Sequence, residues 1–165
     1  MKKMKKTVFC FVLTAVFVMS LSSCLFLIPK TFKMTVDENV SEDQNVKITF
    51  VNGGNGLFIV KGWNSKKIVD DLYGDKGVGG SDKTILTVPA GNNSFNFDLY
   101  FTFSNQYRST TYSFKDIELR YDLELGKEYQ IKGKAKLISL LKGYEFYVEI
   151  YDTTSDTLLK DWKLG

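Results

Sequence analysis

The chain has 165 residues, with 22 Lys and Arg against 19 Asp and Glu, two cysteines and no histidine. The commonest general base and imidazole metal ligand is therefore missing, and a disulfide framework is excluded. Four lysines (Lys2, Lys3, Lys5, Lys6) precede residue 24, so residues 24–165 hold 22 − 4 = 18 basic and 19 acidic side chains, a formal charge of −1. That balance lacks the clustered basic footprint a nucleic-acid partner requires.

The N-terminus has the layout of an export signal. The four lysines form a basic start, Thr7 to Leu21 carry no charge, and small residues follow at Ser22 and Ser23. Lysines ahead of an apolar core hold that end in the cytoplasm while the rest crosses. Leu21-Ser22-Ser23-Cys24 resembles the lipobox of bacterial lipoproteins. The resemblance implies cleavage before Cys24, a diacylglyceryl group on its sulfur and a further amide-linked chain such as palmitate. Each buried methylene contributes about 0.8 kcal/mol, and stable anchoring takes two chains or more. By similarity to the enteric sorting pattern, Leu25 rather than Asp after the cysteine favours the outer membrane. The alternative is an uncleaved anchor helix, since Val8 to Ile28 is free of charge and a span needs about 20 apolar residues. Ser20, Ser22, Ser23 and Pro29 weaken that run. The expected organisation is a leader over 1–23, a lipidated tether over 24–30 and one domain over 31–165. Cys10 falls in the leader and Cys24 is acylated, so no thiol is left free.

From Thr31 onward the hydrophobic pattern has period two. Phe32, Met34 and Val36 alternate with polar residues, and 37–45 reads as a polar loop. Val46, Ile48 and Phe50 follow, then Asn52-Gly53-Gly54-Asn55-Gly56, then Leu57-Phe58-Ile59-Val60; two strands about a glycine-rich turn predict a hairpin. A long loop over 62–83 carries Trp63, Asp70, Asp71, Tyr73, Asp75 and Asp82. A short strand over 84–88 ends at Pro89-Ala90-Gly91. Phe95, Phe97, Leu99, Phe101 and Phe103 then form the richest apolar stripe, the expected centre of the core.

Three further strands follow. Ile117, Leu119, Tyr121 and Leu123 oppose acidic residues; after Leu125-Gly126-Lys127, Tyr129, Ile131, Ala135 and Leu137 oppose lysines; Tyr144, Phe146, Val148 and Ile150 oppose Glu145, Tyr147, Glu149 and Tyr151. A last strand holds Leu158, Trp162 and Leu164. The chain is thus expected to be all-β, with about eight to ten strands in an antiparallel β-sandwich, or alternatively a small β-barrel. Val88-Pro89-Ala90-Gly91 and Gly126-Lys127-Glu128-Tyr129-Gln130-Ile131 resemble the turns of small PEGA-like and transthyretin-like envelope sandwiches over about residues 84–137. That resemblance implies an architecture and carries over no active site.

Four constellations are candidates for function. Lys132, Lys134 and Lys136 form a ladder; in a simple meander they lie between Asp116, Glu118, Asp122 and Glu124 on one side and Glu145 and Glu149 on the other, giving a charge-matched solvated face. Asp70, Asp71, Asp75 and Asp82 offer oxygen ligands for calcium, although no ordered alternation and no closing Glu is present. Trp63 and Tyr73 are the tentative ligand-binding residues, placed to stack on a sugar ring or a partner. Tyr147 and Tyr151, on an outer face, are expected to cover a neighbouring strand. Catalysis has little support without histidine or free thiol, and no motif marks a Ser-Lys dyad or a carboxylate pair. The expectation is a non-enzymatic envelope lipoprotein without cofactor or metal, periplasmic or surface-exposed. Its partners are the membrane through Cys24 and an envelope protein or glycan, not nucleic acid. The alternative is a carbohydrate- or calcium-binding module using loop 62–83.

Overall fold

The computed structural model describes residues 31–53, 55–68, 77, 79, 81–139 and 143–165. The expected leader and tether, and residues 69–76, 78 and 80 of the expected loop 62–83, lie outside the described residues.

Alternating sequences make strands because successive side chains on a pleated backbone point to opposite faces. Ten form among the described residues: β1 (Thr31–Thr35), β2 (Asn45–Val51), β3 (Gly56–Trp63), β4 (Lys66–Lys67), β5 (Lys83–Pro89), β6 (Gly91–Ser104), β7 (Ser109–Leu123), β8 (Glu128–Ser139), β9 (Gly143–Asp152) and β10 (Thr157–Leu164). They divide into a six-stranded sheet, β1-β5-β2-β8-β9-β10, and a four-stranded sheet, β4-β3-β6-β7. The two sheets stay separate, so the sandwich forms and the closed barrel does not.

The expected arrangement needs three corrections. The larger sheet is mixed, because β1 runs parallel to β5 and β2 parallel to β8. Next, β2 and β3 are not a hairpin. They lie in different sheets, and the turn between them is an arch in which Asn52 donates from Nδ2 to the Ser81 carbonyl and accepts the Phe58 N–H at 2.6 Å. Both strands are apolar on one face, and an arch lets each bury that face against the other sheet. Finally, β7 does not flank β8. The turn at Gly126 (φ 81°) carries the chain from the smaller sheet to the larger one, and the turn at Gly91 (φ 100°) does the reverse.

The core lies between the sheets. Phe95, Phe97, Leu99 and Phe101 are fully buried, as the stripe predicts, while Phe103 is half-buried. Phe50, from the opposite sheet, meets Phe58, Phe95 and Phe97 edge-to-face with ring centroids 5.6–5.8 Å apart. That geometry suits the ring quadrupole better than flat stacking. Gly133 lies on the inner face opposite Val148, and a Cβ there would stand 3.1 Å from Leu99 and 3.2 Å from Phe101. The missing side chain sets how closely the sheets approach.

Candidate functional site

Cys24, the expected lipid attachment site, lies outside the described residues, as do Tyr73, Asp70, Asp71 and Asp75. Trp63 is described, and it is not in a loop. It closes β3, is 5% exposed, and donates its indole N–H to Asn93 Oδ1 at 2.6 Å. Asn93 is buried too and donates to the carbonyls of Pro89 and Gly91. Trp63 is therefore part of the brace that holds the β5–β6 arch, and its ring is not free to stack on a ligand. An indole with an apolar body and one donor is buried readily once a partner reaches that donor.

The lysine ladder is matched on one side only. On β9, Glu149 accepts from Lys134 Nζ at 2.7 Å, and Lys136 stands in register with Glu145. On the other side β2, not the acidic β7, runs beside β8 as far as Lys132. Lys132 lies 4.3 Å from the Tyr151 ring centroid and 3.7 Å from Asp156. Tyr151 thus packs across to the neighbouring strand β8, and both Tyr147 and Tyr151 also make contacts within β9. Each donates its hydroxyl to the carboxylate two residues earlier, Glu145 and Glu149, at 2.7 and 2.6 Å. The hydrogen bond to Glu149, reinforced by burial, pushes the Tyr151 phenol up to about 12.

One cluster goes unremarked in the sequence reading. On the outer face of the smaller sheet, β6 has an irregular register on both sides near Asp98. Pairing steps from Val60↔Phe97 to Gly62↔Asn96 with β3, and from Phe97↔Ile117 to Leu99↔Phe114 with β7. Such bulges re-aim side chains. Here they bring Lys61 Nζ to 2.6 Å from Asp98 and 2.9 Å from Asp116, whose own N–H donates to Asp98. Asp116 adopts φ 52°, a left-handed conformation that Asp tolerates better than most residues. Burial raises the Asp98 carboxyl, but hydrogen bonds from Lys61 and the Asp116 N–H outweigh it, and the net shift is downward. Lys61 is raised, first by its bond to Asp98 and then by Asp116. It stays an ammonium at neutral pH and has no basic lone pair to offer. A polar signal was available: Asp98 is the one charged residue in the run from Phe95 to Phe103.

Beside this cluster runs an open groove of about 590 Å3, lined among others by Asn64, Ser65, Lys66, Asn96, Asp116 and Glu118. Its floor presents amides, carboxylates and ammonium groups, the chemistry that recognises hydroxyls. No protein-family model matches the chain, and neither a curated protein nor a solved structure shows significant similarity to it.

Proposed function

We propose that the protein is an exported envelope lipoprotein, acylated at Cys24, whose β-sandwich has a non-catalytic binding or structural role. The observation that carries this is Leu21-Ser22-Ser23-Cys24 at the end of a charge-free run, only seven residues before the first strand. Lipid attachment is its chemistry, and the membrane is its first partner. Two features support a role without catalysis. Histidine is absent from the sequence. Lys61 is held protonated between two carboxylates. The outer membrane is the favoured location, facing the periplasm or the exterior.

Metabolic labelling with a fatty-acid analogue tests this reading. Wild type takes up label and Cys24→Ala does not. A mature polypeptide with an unmodified residue 24 in mass spectrometry overturns it. A second reading, a glycan-binding module, is favoured by the polar groove near Lys61. Binding on a glycan array that is lost in Asn96→Ala supports that use of the groove, and binding unchanged by the substitution removes it.

A further inference from the structure

The first strand begins at the end of the sandwich toward which β6, β7, β8 and β9 project. Thr31 stands level with Lys83, Lys83 with Val51, and Val51 with Lys132. Since β8 runs parallel to β2 and antiparallel to β1, it continues from Lys132 toward the side from which the chain reaches Thr31. It runs seven residues further, to Ser139, a projection of about 23 Å at roughly 3.3 Å per residue. The β6–β7 hairpin projects the same way. Phe101 faces Gly56 at the start of β3, and β6 then extends to Ser104 before returning at Ser109. Cys24 precedes Thr31 by seven residues, which span at most about 25 Å. A domain standing on that tether brings the ends of these strands to the depth of the anchored sulfur.

The two ends differ in chemistry. Of the nine exposed large hydrophobic residues among those described, six lie at the tether end: Leu57, Tyr107, Tyr112, Leu137, Ile138 and Tyr144. Tyr107 is 93% exposed, Leu137 50% and Ile138 45%. Residues 99–114 and 135–144 contain no Asp or Glu, and Arg108 and Lys136 supply positive charge. Glu145, which follows Tyr144, is ion-paired with Lys163. At the opposite end stand Asp37, Glu38, Glu42, Asp43, Glu124 and Glu128, of which Asp37, Glu124 and Glu128 are paired with Lys66, Lys127 and Lys47. Tyrosines and cations over short aliphatic side chains are the composition of a membrane–water interface, and an acid-rich end is repelled by anionic headgroups.

We infer that this end of the sandwich is a second membrane contact: the β6–β7 hairpin and the paired ends of β8 and β9 lie in the headgroup layer of the bilayer that holds Cys24, with Leu137 and Ile138 against the acyl boundary. The inference rests on the anchored reading above and adds an orientation to it. The lipid then does more than retain the protein. It sets the domain upright with its acid-rich end outward.

The test uses the full mature lipoprotein reconstituted through its own lipid into vesicles of zwitterionic and anionic phospholipid. Ile138→Cys, or Thr154→Cys at the opposite end, supplies a thiol for an environment-sensitive nitrobenzoxadiazole label; both sites are exposed and tolerate it. The expected result is a blue-shifted emission at 138 that is quenched by headgroup-level nitroxide lipid, with neither effect at 154. Protein that floats with the vesicles but shows equal, unquenched emission at both sites overturns the contact alone. Protein that stays at the bottom of the gradient overturns the anchorage and the contact with it. Crosslinking in cells from site 138 to another protein, without lipid quenching, overturns it in favour of a protein partner.

Discussion

Single side chains in this fold are fixed by hydrogen-bond partners that only the folded chain supplies. Asn93 is the clearest case, because one buried amide serves Trp63 and two carbonyls of the β5–β6 arch. Asn93→Ala leaves a buried indole N–H and two carbonyls without it. The expected loss is about 2–3 kcal/mol, measured by denaturant unfolding with the Trp63 emission as probe, since an orphaned buried group costs roughly 1–3 kcal/mol. Tyr151 makes a second prediction, in alkali. Its phenol ionises near 10 in the unfolded chain and at about 12 in the native state. The native state therefore keeps a proton that the unfolded chain releases, and stability is full below pH 10 and declines as pH rises from 10 to 12. Tyr151→Phe should remove one phenol from the latest part of the ultraviolet phenolate titration and make stability fall less steeply in that window. Neither partner set was legible in the sequence. Trp63 follows a polar-looking Lys-Gly pair and precedes Asn-Ser, which reads as loop, and only the Asn93 amide thirty residues on makes its burial favourable.

At the scale of the element, strands were easy to read and their neighbours were not. Alternation over 95–103, 117–123 and 144–150 placed the inner faces correctly because period two depends only on the residue's own strand. Which strand lies beside which depends on whether a turn closes a hairpin or an arch. Glycine-rich turns do either, so Asn52 to Gly56 and Gly126 misled about pairing. The Lys61–Asp98–Asp116 cluster was hidden for a related reason: bulges displace residues out of the alternation that a pattern reading follows. Asp98 caps the bulge of β7 through the Asp116 N–H while it holds Lys61. Asp98→Ala should cost about 2–3 kcal/mol through the uncapped N–H and the weakened pairing of Lys61. Thermal unfolding checks this, and Asp98→Asn, which keeps an acceptor for the N–H, should recover part of the loss.

The molecule as a whole is set by how near its two sheets can come. Leu99 and Phe101 fit against the bare backbone of Gly133, where the nearest atoms leave no room for a branched side chain. Gly133→Val should destabilise by about 1–3 kcal/mol, the usual cost of overpacking, with a lower melting temperature and a chain that still folds. The gross architecture was legible, since an all-β chain with a phenylalanine stripe has few ways to hide it other than a sandwich. The polarity from end to end was not, because it emerges from register between strands far apart in the chain.

The parallel union of β2 with β8 has a consequence for biosynthesis. Lys47 and Glu128, which meet across it, are 81 positions apart. A nascent chain that stops short of residue 128 leaves β2, a central strand of the finished sheet, with one bare edge. Contacts this distant close slowly, because the intervening loop entropy must be overcome first. Fragments released early are therefore the dangerous species, prone to pair with one another, and the completed chain remains pliable until its final quarter has emerged.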